Sequence, residues 1–413
     1  MTLTITPTLL GGCITPPPGK SQTHRLMIAA ALADGESIIE NYRPSEDLHA
    51  TLRGTEALGA TVRIADSALR VTGVSLSAFP RDDLPVIHCG ESGSTLRFLL
   101  PVAVAVAGGG IFTGSERLMA RPLQPYFDLF ETQGIQYRME RNTLHVRGQL
   151  RAGEFHLPGN VSSQFFTGLL FALPLLHEPS VIIPDSRIES FGYVGMTLQA
   201  LSEFGIHIPA TCSLPPQYHI SGDALYRPCR TAVEGDWSQA AFWYAATGIG
   251  NRVSVSGMNE SSLQGDRAIL DFARQLSSDG CVTLDLSDHP DLAPPLAAWG
   301  ALREGETRLV NTARLRLKES DRLTAITESL AALGADIREK QDGLVLTGKG
   351  ELAGGVTVDC RNDHRIAMML AIAATRCRHP VTLTGAECVN KSYPGFWSDF
   401  TALGGIIHEH TGE

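Results

Sequence analysis

The sequence predicts an α/β protein with α+β character, built as two similar domains of three βαβαββ units each. One observation is a pattern that recurs six times: apolar residues at helical spacing, a glycine, then a short strand. The glycines are Gly59, Gly134, Gly205, Gly280, Gly334 and Gly404, separated by 75, 71, 75, 54 and 70 residues. A period near 70 suits one βαβαββ unit, and the chain of 413 residues holds six of them. A proline joint, Pro16-Pro17-Pro18, is the remaining observation, because it interrupts the chain before the first copy is complete.

Three successive prolines fix φ and withhold backbone donors, so the joint is neither helix interior nor central strand. Beyond it, Leu26, Ala29, Ala30 and Ala33 predict a helix whose first turn holds Lys20, Ser21 and Arg25. Free N–H groups and the macrodipole at that end favour phosphate or carboxylate. Gly19-Lys20-Ser21 ends like a nucleotide P-loop, but that motif needs a glycine where Ile14 stands.

Each marker glycine follows a helix as a left-handed cap and turns the chain into a strand. A further strand follows in ALRVTGV, TLHVRG, YHISG and LVLTG. The strand before the prolines has no partner in the first copy and is expected to cross into the other domain. Residues 16–19 and about 232–235 are then two hinge strands. The domains become 18–233, and 1–17 with 234–413, with a ligand cleft between them.

A net charge of −10 disfavours nucleic acid or anionic membrane as partner, so any basic site must be local and built for a small anion. Eight scattered cysteines without a CxxC suit a reducing compartment and argue against metal or disulfide roles. The N-terminus lacks a secretory pattern, and the run Phe98 to Phe112 is short of the roughly twenty residues a spanning helix needs. A cytoplasmic protein is expected.

Polar, turn-rich segments recur at helix starts. They are Gly90 to Arg97, Ala120-Arg121-Pro122, Gly159 to Gln164, Glu234-Gly235-Asp236, Asp288 to Asp291, Arg314 to Arg322, Asn362 to Arg365 and Asn390-Lys391-Ser392. Each has an ordinary structural reading: Ser162-Ser163-Gln164 as a helix cap, Lys318 to Arg322 as a solvated, self-paired helix face. Together they gather Lys20, Arg25, Arg97, Arg121, Arg322, Arg365 and Lys391 in an acidic chain, which suits a substrate pair with several negative charges. Asp291 and Glu319 lie in the same segments, as opposed acid and base roles require.

These segments, in this order and spacing from about residue 10 to 405, resemble the 5-enolpyruvylshikimate-3-phosphate synthase family. The resemblance implies two domains, each with three βαβαββ units about a pseudo-threefold axis in an inside-out α/β barrel, closing on shikimate 3-phosphate and phosphoenolpyruvate. It implies transfer of the enolpyruvyl group to the 5-hydroxyl of shikimate 3-phosphate by addition and elimination, with no cofactor and no metal, by a cytoplasmic monomer. By position, Lys20, Ser21, Arg25, Ser162, Ser163, Gln164, Ser190, Tyr193, Asp291 and Lys318 resemble the shikimate-phosphate contacts. Lys20, Gly93, Arg121, Gln164, Arg322, Arg365 and Lys391 resemble the phosphoenolpyruvate contacts. Asp291, Glu319 and Lys20 resemble the catalytic set: a base for the hydroxyl, an acid for the enol methylene, and a cation.

The chain departs from the family pattern at Gly19, where a serine is usual, at Glu91, at Arg314, where an asparagine is usual, and at Ala120. The related transferase acting on a UDP-sugar is the alternative, but residues 113–120 lack its cysteine. A non-catalytic anion-binding protein on the same fold would explain the cations without explaining Asp291 and Glu319.

Overall fold

The structure, a computed structural model, describes residues 1–74 and 83–410. The chain divides into two compact units, Pro18–Glu234, and Met1–Pro17 with Gly235–Glu413. Each has its own apolar core.

In the unit Pro18–Glu234, the middle copy shows the complete pattern. Strand Val86–His88 runs parallel to Gly109–Thr113, which pairs antiparallel with Thr143–Arg147, itself paired with Gln136–Glu140. The first copy has Glu36–Glu40 and the hairpin Thr61–Ala65 and Ala68–Thr72, but borrows its leading strand, Arg230–Ala232, from the far end of the unit. The third copy has Glu154–Leu157, Ser180–Pro184 and Tyr218–Ile220. The strand expected after Gly205 is absent, with a single bridge between Ala210 and Tyr218 in its place. Pro209, Pro215 and Pro216 crowd that segment and cannot donate to a ladder.

In the other unit, Val282–Asp285, Glu306–Val310, Gly343–Thr347 and Asp336–Lys340 form a complete copy. Gly11–Ile14 pairs parallel with Arg252–Val255 in a two-stranded sheet. The strand after Gly280 opens the next sheet instead of closing a hairpin, which accounts for the short interval of 54 residues to Gly334. The last sheet takes Thr2–Thr6 between Val381–Thr384 and Ile406–His410, so the first strand of the chain completes the last copy. All six marker glycines have positive φ, between 70° and 108°.

The first helix of each copy is buried along most of its length and apolar beyond its first two turns. These helices are Lys20–Leu32, Gly93–Ala107 and Ser163–Ala172 in one unit, and Trp237–Gly248, Ala293–Leu302 and His364–Ala374 in the other. Gly168 shows how closely they pack: a Cβ there would stand 2.5 Å from the carbonyl oxygen of Arg97 and 2.2 Å from the Tyr126 hydroxyl. With their flanks buried, these helices present chemistry only at their ends. The helix Lys20–Leu32 begins just past the prolines, with Gly19 as its N-cap and no side chain capping it. At the joint, the Gly19 amide donates to the Glu234 carbonyl at 2.8 Å, and the Asp236 amide donates to the Pro17 carbonyl at 2.9 Å. No helix among the described residues is long and apolar enough to cross a membrane.

Candidate active site

The buried helix starts are where the candidate residues collect. In the unit Pro18–Glu234, Arg25 is 2% exposed and held by several hydrogen bonds. Its Nε donates to the Thr197 hydroxyl at 2.8 Å, and its terminal nitrogens donate to the carbonyls of Ser21 at 2.7 Å and Tyr193 at 3.0 Å. The guanidinium carbon lies 5.1 Å from the Phe98 ring centroid and 5.7 Å from that of Tyr193. Burial lowers the Arg25 pKa to about 10, which leaves it cationic at neutral pH. Ser21, Arg25 and Tyr193 thus form one cluster. Ser190 sits at its edge in the left-handed region, φ 56°, its carbonyl accepting from the Tyr193 amide at 3.1 Å.

A second cluster surrounds Gln164. Arg97 donates to Gln164 Oε1 at 2.7 Å, and Gln164 Nε2 donates to the Ser94 hydroxyl at 3.1 Å. A Cβ on Gly93 would stand 2.9 Å from an Arg121 guanidinium nitrogen, 3.5 Å from one of Arg97 and 3.7 Å from Gln164 Oε1. Glycine therefore keeps open the space that two guanidinium groups and an amide face. Arg121 Nε is buried without a protein partner, a donor available to a guest. Ser162 caps the helix Ser163–Ala172, its hydroxyl accepting from the Gln164 amide at 3.3 Å. Lys20 is paired with Asp47 at 2.7 Å.

In the other unit, Arg322 is the hub. It is 1% exposed and donates to three carboxylates: Asp291 at 2.8 Å, Glu319 at 2.6 Å and Asp363 at 2.8 Å. Asp291 also meets Arg365 at 3.2 Å and Lys318 at 3.5 Å, and its carbonyl accepts from Arg365 at 3.2 Å. Burial works against charge on Asp291, yet Arg365, Lys318 and Arg322 outweigh it and hold the carboxyl far below the usual range. Burial lowers the Lys318 pKa despite the neighbouring Asp291. Lys391 donates to the Asn362 carbonyl, beside Asp363. Asp291, Lys318, Glu319, Arg322 and Arg365 therefore share one network, with three cations facing three carboxylates once Asp363 is counted.

The charge run Arg314 to Arg322 divides by role and is not one helix face, because the helix starts only at Arg322 with Asp321 as N-cap. Arg316 pairs with Asp321 at 3.1 Å and Glu339 at 2.7 Å near the surface, whereas Lys318 and Glu319 are drawn into the buried network, against the solvated reading of Lys318 to Arg322. Arg322 turns inward. Arg314 donates to the Ser287 carbonyl, and Ala120 lines a cavity of about 480 Å³ with Glu116, Met119, Arg141 and Asn142.

Three acids were not singled out by sequence. Asp363 is fully buried, caps the helix His364–Ala374 and orients Arg322. Its capping position was legible; its bond to a residue 41 positions earlier was not. Asp47 shows only as an acid in the first turn of the helix Glu46–Ala57. Asp266 is 1% exposed and accepts from the Ser238 hydroxyl, and burial together with the charge of Asp291 raises its pKa.

Residues 5–400 match the family model of EPSP synthase (3-phosphoshikimate 1-carboxyvinyltransferase). The chain is 42% identical over 422 residues to a 3-phosphoshikimate 1-carboxyvinyltransferase of Clostridium perfringens, covering 98% of each chain. It is 44% identical over 425 residues to one of Clostridium acetobutylicum, again covering 98% of each. In fold it is similar to a solved EPSP synthase of Acinetobacter baumannii, with TM-score 0.82 at 22% identity over 100% of both chains. It is also similar to the enolpyruvyl transferase NikO of Streptomyces tendae, with TM-score 0.77 at 17% identity over 100% of this chain and 99% of that one.

Proposed function

The chain belongs to the EPSP synthase family, and on that premise we propose which of its residues carry the reaction. It is a transferase of the shikimate pathway: it moves the enolpyruvyl group of phosphoenolpyruvate to the 5-hydroxyl of shikimate 3-phosphate and releases phosphate. The assignment of residues rests above all on Arg322, one buried cation bonded to both carboxylates of the reaction, Asp291 and Glu319.

Within this network, Asp291 is ionised but pinned by Arg322, Arg365 and Lys318, which makes it a poor base. Substrate phosphate and carboxylate compete for the same cations. As they take Lys318, Arg322 and Arg365, the Asp291 carboxylate loses stabilisation and becomes basic enough to accept the proton of the 5-hydroxyl. Glu319 gives up its bond to Arg322 in the same event, and a proton held there is available to the methylene carbon of phosphoenolpyruvate. Protonation makes the adjacent carbon electrophilic, and the substrate oxygen bonds to it. In the elimination half, Glu319 takes a proton back from the new methyl group, the C–O bond to phosphate breaks, and Asp291 returns its proton to the leaving phosphate. Lys20, Gly93, Arg121, Gln164, Arg322, Arg365 and Lys391 are assigned to phosphoenolpyruvate. Lys20, Ser21, Arg25, Ser162, Ser163, Gln164, Ser190, Tyr193, Asp291 and Lys318 are assigned to shikimate 3-phosphate.

The partners proposed are these small anions, without nucleic acid or membrane, for a cytoplasmic monomer. The test is phosphate release measured with each substrate alone and with both. Release only with both supports the reading, whereas release with a UDP-sugar in place of shikimate 3-phosphate would support the sister transferase. No release under either condition would leave anion binding alone.

A further inference from the structure

The helix Glu46–Ala57 carries none of the assigned substrate contacts, yet it is bonded to two of the three anion-binding helix starts of its unit. Toward the helix Lys20–Leu32, Asp47 holds Lys20 at 2.7 Å, and the Thr51 hydroxyl lies 2.7 Å from His24 Nδ1. Toward the helix Gly93–Ala107, the same Thr51 hydroxyl lies 2.6 Å from that of Thr95, which donates to the Ser92 hydroxyl at 2.7 Å. Ser92 is the N-cap of that helix and adjoins Gly93. His24, Thr51, Thr95 and Ser92 are each no more than 1% exposed. The two helices pack so closely that a Cβ on Gly54 would stand 2.5 Å from Leu99 Cδ1.

One proton per hydroxyl fixes the direction of this chain. Thr95 donates to Ser92, so it accepts from Thr51. Thr51 has then used its only proton and must accept from His24. The imidazole is therefore the Nδ1–H tautomer, with Nε2 a bare acceptor that is buried without a protein partner. Burial, with Lys20 and Arg25 nearby, holds the ring neutral.

We propose that the His24–Thr51–Thr95–Ser92 chain is a positioning device that sets the start of the helix Gly93–Ala107 relative to Lys20, and so fixes the phosphoenolpyruvate half-site. None of the four is among the residues assigned to substrate; they act through Lys20 and Gly93. The consequence is specific: weakening the chain should spoil phosphoenolpyruvate binding more than shikimate 3-phosphate binding, since Gly93 is assigned to phosphoenolpyruvate alone, whereas Arg25 and Ser162, assigned to shikimate 3-phosphate alone, are held by other bonds. This inference rests on the assignment of Lys20, Gly93 and Arg121 to phosphoenolpyruvate.

The test compares full-length wild type with Thr51→Val, which keeps the shape and removes the relay, and with Thr51→Ser, which restores the hydroxyl. Thr51→Val is expected to raise KM for phosphoenolpyruvate about five- to tenfold, the effect of one buried hydrogen bond. Its KM for shikimate 3-phosphate should stay within about twofold, and Thr51→Ser should recover most of the loss. A lower melting temperature with KM for phosphoenolpyruvate unchanged would overturn the proposal and leave the chain merely structural. Arg121→Ala is the control for the underlying assignment: if it too leaves that KM unchanged, the site reading fails and not the relay. Nitrogen-15 NMR of the histidines in the wild-type protein supplies a measurement that needs no variant. The Nδ1–H tautomer at His24 supports the relay, and an Nε2–H tautomer or an imidazolium there overturns it.

Discussion

The chemistry of Asp291 and Glu319 is set by the cations they touch, and each residue answers to one substitution. Glu319→Gln and Asp291→Asn are each expected to lower turnover by at least about 10²-fold, the scale for loss of an acid or base, with shikimate 3-phosphate binding retained in calorimetry. Near-normal turnover in either would remove that residue from the mechanism. Asp291 has a second signature in stability. Its folded pKa lies below the unfolded value of about 4, so its contribution is present above that pH and is withdrawn as pH falls toward the folded pKa. Wild type should therefore exceed Asp291→Asn in unfolding free energy by a constant amount between about pH 6 and 8. The gap should narrow only below about pH 4. A gap that varied across the neutral range would show that some other group titrates in the network.

At the scale of elements, the site exists because apolar helices are packed so tightly that only their ends are free. The contact of the helix Ser163–Ala172 with Gly93–Ala107 makes the point. Gly168→Ala improves helix propensity by up to about 1 kcal/mol, but the new methyl would meet the Arg97 carbonyl at 2.5 Å and the Tyr126 hydroxyl at 2.2 Å. Backbone cannot yield as a side-chain tip can, so overpacking should dominate, and the variant is expected to lose about 1–3 kcal/mol in denaturant unfolding. A stabilised Gly168→Ala would mean that these helices have slack. Because Arg97 also holds Gln164 at 2.7 Å, the same variant should raise KM for phosphoenolpyruvate.

For the whole molecule, a chain of net charge −10 that binds two anions must focus its cations locally. Arg25, Arg97 and Arg121 lie in one unit, and Lys318, Arg322 and Arg365 in the other. Such focusing is sensitive to salt, since the screening length falls from about 10 Å at 0.1 M to about 3 Å at 1 M. KM for both substrates is expected to rise several-fold over that range of potassium chloride, with kcat changed much less. Salt-independent KM values would mean that short bonds alone bind the substrates, without help from the wider field.

The sequence by itself determined what repeats and what is apolar. Six glycines past helix ends, the proline joint, and the segments around Lys20, Gly93, Arg121, Ser162, Asp291, Lys318 and Arg365 are local features, legible because turn and helix preferences act over a few residues. Those same segments identify the family. Only the tertiary structure decided which strands complete which sheet: Thr2–Thr6 closes the last copy, Arg230–Ala232 opens the first, and the prolines after Gly205 leave the third without its full hairpin. It also decided the partners of the charges. Asp363 beside Arg322, Asp47 beside Lys20, and the hydroxyl chain from His24 to Ser92 join residues 27 to 68 positions apart. Nothing local in a sequence selects such pairs, because they form only where packed helices bring buried polar groups together, and burial then makes an unpaired group too costly to leave.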